Sequence, residues 1–214
     1  MGIMKTLYSS TFLSVVLGFL ILLDQSGKLT GQFIERVESQ EETPFRTIVE
    51  RPDLLVQEDG KVHVDVFTAF TCQNCRNFGL GTTKELQQTY GKDEKIDLKI
   101  HLTANKEDEM DVLATKAAQC AGDQQKFSEM LQKLYEMEAI TAEEIAIKAE
   151  EIKLDQTAFD DCLKGEGVNS EIDEALKEKE AQKIDMIPST LVDNTLLIGA
   201  HPVENVEREI RQNL

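Results

Sequence analysis

From Lys61 to Phe67 the chain reads KVHVDVF, with Val62, Val64 and Val66 on one side and His63 and Asp65 on the other. That period of two predicts a strand. A second run of the same kind, KIDLKIHL over 95–102, sets Ile96, Leu98, Ile100 and Leu102 against charged or polar neighbours. Between the two, apolar residues fall at helical spacing from Cys72 to about Tyr90, with Gly79 and Gly81 as a weak or kinked point and Gly91 as the stop. Strand, helix, strand implies a parallel pair joined by a crossover helix.

From Asp108 to about Asp185 the pattern turns helical throughout, rich in Ala, Glu, Lys, Gln and Leu. The spacing predicts helices over 108–121, 123–137, 141–152, 157–164 and 170–184. Thr141 with Glu144, and Ser170 with Asp173, look like capping boxes at two of the starts. Two short β-like runs follow, Thr190–Val192 and Leu196–Ile198, joined at Asp193-Asn194, and a last helix begins after Pro202. The predicted class is therefore α/β, in the order βαβ, helical insertion at about 108–185, ββα.

The N-terminus has a different pattern. Thr6 to Leu23 carries no charge over 18 residues, and Phe12 to Leu23 is apolar except for Ser14 and Gly18. As a helix this run is about 27 Å long, close to the roughly 30 Å of a bilayer core. It suits a membrane span or a secretory h-region. The sequence after it, Asp24-Gln25-Ser26-Gly27-Lys28, has no A-x-A-like cleavage site, which favours an uncleaved signal anchor over residues 1–23. Lys5, the one basic residue before the run, puts the N-terminus in the cytoplasm and the remainder outside. Residues 24–44, polar and ending in Pro44, read as a tether, and the globular domain spans 45–214.

Composition narrows the partners. The chain has 214 residues with 23 Lys+Arg against 40 Asp+Glu, a net charge of −17. Nucleic-acid affinity rests on cations that neutralise phosphates, so a nucleic-acid partner is excluded. Four cysteines are too few for a disulfide-scaffold protein of this length.

Two of those four form the chemical motif, Cys72-Gln73-Asn74-Cys75. A C-x-x-C at a strand-to-helix junction places the first sulfur at the helix N-terminus, where unpaired N–H groups and the positive end of the dipole stabilise a thiolate. The second sulfur, one turn on, can close a small ring with it. This makes Cys72 a nucleophile and Cys75 a resolving thiol in exchange through a mixed disulfide. Half of a zinc site and an inert structural disulfide are the alternatives. For zinc, the remaining Cys120 and Cys162 are too widely spaced to complete the usual set. A binding module for a soft metal such as Cu(I) would use the same two thiols, although no Met or His stands beside them. His63 and His101 on strands and His201 in a loop lack ligand spacing, so no metal site is expected.

The run VHVDVFTAFTCQNCRNF, the insertion segment AAQCAGDQQKFSEMLQKLY and the later IDMIPSTLVDNTLLIGAHP together resemble the DsbA-like branch of the thioredoxin superfamily over roughly residues 60–214. The resemblance implies a thioredoxin-like fold and thiol–disulfide oxidoreductase activity, with a redox-active Cys72–Cys75 disulfide and no other cofactor. It implies a cis peptide bond at Ile187-Pro188, beside which a substrate strand can pair. It also implies exported, cysteine-containing substrate proteins and a membrane redox partner, quinone-linked if the protein is an oxidase. Dithiol oxidation is the expected direction, and reduction or isomerisation by the same fold is the alternative. In some members two cysteines of the insertion are bridged, and here Cys120 and Cys162 hold that place, two buried free thiols being the other reading. The catalytic domain would face the periplasmic or outer side of the cell membrane on a single span, or be secreted if the N-terminal segment is cleaved.

The chain departs from the family pattern at three places. Gln73 and Asn74, which tune the motif interior, donate hydrogen bonds but bring no charge where relatives commonly have Pro, His or Tyr. Val66 stands where many relatives carry a buried acid six residues before the first Cys, and Asp65, a candidate proton shuttle, lies one position off. Leu191-Val192 replaces the usual aromatic residues after Pro188.

Overall fold

The computed structural model describes residues 22–23, 29–30, 46–54, 59–165 and 167–214. The chain divides into two compact units, Met1–Glu41 and Glu42–Leu214. In the first, β1 (Leu22–Leu23) pairs antiparallel with β2 (Leu29–Thr30). The last two residues of the expected anchor helix are thus strand, and so is part of the expected tether, because each satisfies its backbone groups across the ladder. The rest of the anchor (1–23) and tether (24–44) lies outside the described residues. Among the described residues no helix is long and apolar enough to cross a membrane.

The second unit is built on a five-stranded sheet of order β3-β7-β6-β4-β5. Its strands are β3 (Thr47–Glu50), β4 (Val62–Thr68), β5 (Ile96–Leu102), β6 (Ser189–Val192) and β7 (Thr195–Ile198). β4 runs parallel to β5, from Val62 opposite Ile96 to Thr68 opposite Leu102, and the other pairings are antiparallel. The alternation in β4 separates two cores. Val62, Val64 and Val66 pack with Phe78, Leu86 and Val206 on one face, whereas Phe67 packs with Ile184, Leu191 and Leu196 on the other. β3 is an addition to the predicted order, which began at β4. Four residues of TIVE hold too little alternation to read, and the strand exists through its pairing with β7, with Arg46 Nε also bonded to Ala200 O at 2.7 Å.

After β4 the chain enters α1 (Gln73–Phe78), a π-helical turn (Gly79–Thr83) and α2 (Lys84–Tyr90). The glycines predicted as a weak point form the π-turn. A Cβ on Gly79 would overlap the Tyr135 ring, so this wall of the helix must stay bare for the aromatic residue to seat.

The insertion comprises α3 (Glu109–Asp123), α4 (Phe127–Glu136), α5 (Ala142–Glu151), α6 (Gln156–Lys164) and α7 (Gly167–Ala181). Its helices enclose a separate core that includes Ala114, Ala118, Leu131, Leu134 and Tyr135. Small residues on α3 let α4 approach closely. Three N-termini are capped by side chains that accept backbone N–H groups: Asp108 from Met110 and Asp111, Thr141 from Glu144, and Asp155 from Ala158. The predicted cap at Ser170 is corrected. α7 begins at Gly167, and Ser170 lies in its first turn, donating its hydroxyl to Gly167 O at 2.6 Å. The predicted start of α4 at Asp123 also moves, since Gln125 takes a φ of 63° and breaks the helix there. α8 (Val203–Asn213) closes the domain against the valine face of the sheet.

Cys120 on α3 and Cys162 on α6 are joined as a disulfide, with Cα atoms 5.8 Å apart and a sequence separation of 42. Closing that loop restricts the unfolded chain. A Cys120→Ala/Cys162→Ala protein should therefore lose about 2–4 kcal/mol of stability. The measurement is the urea midpoint under non-reducing conditions, and an unchanged midpoint would show that the bridge contributes nothing.

Candidate active site

Cys72 is the N-cap residue of α1, with extended backbone angles (φ −89°, ψ 118°) that turn its sulfur back over the first helical turn. The sulfur accepts the backbone N–H of Cys75 at 3.3 Å. Both motif cysteines are free thiols, Cys72 half-buried and Cys75 buried. The Cys75 S–H, helped by the backbone N–H groups of Cys75 and Asn74, lowers the Cys72 pKa to about 6, against opposition from burial and from Asp111. Cys75 is pushed the other way: it holds its proton, donates it in a hydrogen bond to the Cys72 sulfur, and is desolvated beside that charge. At neutral pH the couple is one thiolate and one thiol, with the charge on the less buried partner.

Below the pair lies a run of buried hydroxyls. Thr68, at the end of β4, hydrogen-bonds Cys75, and its Oγ1 is 3.0 Å from the Tyr135 hydroxyl. Tyr135 has no exposed surface, and burial raises the pKa of its phenol. Arg76 ties α1 to the same region by donating to the carbonyls of Glu138 (3.2 Å) and Tyr135 (3.4 Å).

A further polar group is Asp111, in the first turn of α3 and fully buried. Its carboxylate accepts from Phe70 N at 3.0 Å, Thr71 N at 3.3 Å and Asn105 N at 2.8 Å. The loop into Cys72 and the loop leaving β5 are thus held by one side chain.

The peptide bond between Ile187 and Pro188 is cis. Pro188 O accepts Gly199 N at 2.8 Å, and Ser189 donates its hydroxyl to Met186 O at 2.9 Å, which fixes the loop entering β6. A cavity of about 640 Å³ runs beside Cys72, with Thr71, Asn105, Leu176 and Ile187 in its walls.

The remaining predicted groups are placed as follows. Gln73 and Asn74 are exposed, and the Gln73 amide bonds Asn77 Oδ1 at 3.1 Å, so it is Asn74's backbone N–H that serves the sulfur. Asp65, the candidate shuttle, sits on the Phe67 face of β4, opposite the face that packs Phe78 of α1, 2.6 Å from His101 Nε2. His63 lies between Asp59 and Asp97, and His201 contacts Thr47 O and Asn205. Among the described residues no group of three or more His, Cys, Asp or Glu is arranged to hold a metal ion.

Thr68, Tyr135 and Asp111 are site residues that the sequence reading missed. For Asp111 a signal exists: a charged residue at the spacing of the buried stripe Ala114, Ala118 and Ala121 is out of place unless it has partners inside.

The family model described as "Thioredoxin" matches residues 55–212. The chain belongs to the thioredoxin family. Solved structures of similar fold include a thioredoxin-like oxidoreductase from Silicibacter pomeroyi, at 19% identity and a TM-score of 0.61 over 78% of this chain and 91% of that one. The thiol-disulfide exchange protein alpha-DsbA2 from Wolbachia pipientis matches at 17% identity and a TM-score of 0.61, over 73% and 84% of the two chains. BdbD from Bacillus subtilis, in its oxidised form, matches at 16% identity and a TM-score of 0.60, over 75% and 91%. A search of curated protein sequences finds no match. This thioredoxin-family chain, DsbA-like in fold, is a protein thiol–disulfide oxidoreductase, with Cys72 and Cys75 placed for the exchange.

The split of charge between the cysteines predicts a specific pH profile. Alkylation of the reduced protein by iodoacetamide should rise with a midpoint near pH 6 and belong to Cys72 alone. Because the folded pKa of Cys72 is depressed, the reduced form gains stability relative to the oxidised form as pH rises from below 6 toward the ordinary thiol value near 9, and loses it as pH falls back through 6. Paired urea titrations of both redox forms check this, and a gap that does not widen with pH would contradict it.

Proposed function

We propose that this protein is a dithiol oxidase of exported proteins, tethered to the membrane by its N-terminal segment with the catalytic domain on the extracytoplasmic side. The observation that carries the reading is the Cys72 thiolate, held by donors from Cys75 and Asn74 in the reduced state. Stabilising the reduced form makes the Cys72–Cys75 disulfide the higher-energy partner and inclines it to pass its oxidation on. The disulfide is itself the electron carrier.

A substrate thiolate attacks the Cys72 sulfur, forming Cys72–S–S–substrate and releasing Cys75, which takes up a proton in its buried seat. A second substrate thiolate then attacks the substrate sulfur of that bond. The substrate leaves as a disulfide and Cys72 leaves as a thiolate, two electrons having passed to the protein. The substrate lies along the cavity beside Ile187 and the cis Pro188, and a quinone-linked membrane partner reoxidises the pair. The uncharged run Thr6–Leu23 supports the tether, and the Cys120–Cys162 bond supports an oxidising compartment.

Disulfide reduction or isomerisation is the second reading. It is favoured by the Cys72 pKa of about 6, which lies nearer the roughly 7 of thioredoxin than the roughly 3.5 of DsbA. The reduction potential separates the two readings, being about −120 mV for a strong oxidant and about −270 mV for a reductant of the thioredoxin kind. In a dithiol-peptide oxidation assay Cys72→Ala should abolish turnover, while Cys75→Ala should accumulate a mixed disulfide with substrate. Full activity in Cys72→Ala would overturn the assignment of the nucleophile, and a potential near −270 mV would overturn the oxidase.

A further inference from the structure

Asp111 is a fully buried carboxylate that the helical insertion contributes to the site. Its three partners are all donors, as an acceptor-only carboxylate requires. Two of them, Phe70 and Thr71, immediately precede Cys72, and Asp111 lines the same cavity as the Cys72 sulfur. The other charged groups on that cavity are Lys106, Glu107, Lys179 and Asp185, and Lys106 is engaged by Asp173. Asp111 is thus a charge fixed by the backbone of two loops, the one entering Cys72 and the one leaving β5, rather than a solvated one that can swing away.

We infer that Asp111 is a positioning residue that sets the redox poise of the Cys72–Cys75 couple, its buried negative charge opposing the Cys72 thiolate while its hydrogen bonds fix the loop that carries it. The direction follows from electrostatics: a like charge disfavours the thiolate, so Asp111 weakens the stabilisation of the reduced form and makes the disulfide less oxidising. The electrostatic influence of Asp111 on Cys72 runs the same way. The inference rests on thiol–disulfide exchange at Cys72 and holds for either direction of that exchange.

The test is Asp111→Asn in the full chain, equilibrated with glutathione buffers and titrated for the Cys72 thiolate by its ultraviolet absorbance. The redox equilibrium constant should move about threefold to tenfold toward the reduced protein, up to about 30 mV by the two-electron relation. The thiolate titration should move to lower pH. A purely structural clamp would lower the stability of both redox forms alike and leave the equilibrium with glutathione unchanged. A folded Asp111→Asn protein with wild-type potential and titration would overturn the inference, while continued exchange in the same assay would leave the enzyme assignment standing. If the variant does not fold, the wild-type protein serves: the carboxyl carbon of ¹³C-labelled Asp111 should shift through the Cys72 titration. A carboxyl signal that stays still would overturn the inference.

Discussion

The site depends on the hydrogen bond between two sulfurs one helical turn apart. Cys75 keeps its proton and donates it in a hydrogen bond to the Cys72 thiolate, and the burial of Cys75 holds the proton there. For this the chain must leave β4 so that Cys72 caps α1 at the surface while Cys75 points into the core. β4 is fixed by neighbours on both sides, β5 in parallel and β6 antiparallel, so the point where it ends does not slide. A slip of one residue would exchange the valine and Phe67 faces and turn α1 away from its packing.

The helical insertion is a structural part of the site. From its own core it contributes Tyr135 against Thr68 and the π-turn, carbonyls for Arg76, and Asp111 for the loop before Cys72. The Tyr135–Thr68 and Asp111–Phe70 contacts are polar and buried, so each is costly to leave half-made. The sheet supplies the position of the cysteines and the insertion supplies the electrical surroundings in which they react.

This division explains what could be read from the sequence. The alternation of valines, the C-x-x-C at a strand end and the Ile187-Pro188 pair before a short strand are local signals, and each element appears near its predicted place. β3 escaped because its four residues become a strand through partners about 150 positions away. Ser170 misled because a hydroxyl in a first helical turn satisfies a carbonyl as readily as it caps an N–H. Thr68, Tyr135 and Asp111 look ordinary in the chain, and only packing brings them to the sulfurs. Asp65 is the converse case: adjacent in sequence to the right position, but on the wrong side of a pleated strand.

A protein that trades disulfides carries its own second disulfide as a potential victim. Exchange needs a thiolate in line with the bond it breaks. Cys120 is 1% exposed, sunk in the small-residue stripe of α3, so attack can come only at the half-buried Cys162 sulfur. Such an attack would expel a buried thiolate into an apolar core, a poor leaving group in the worst solvent. The Cys120–Cys162 bridge is therefore protected by placement rather than by distance, and the chain can exchange disulfides through one pair for many cycles without unpicking the other.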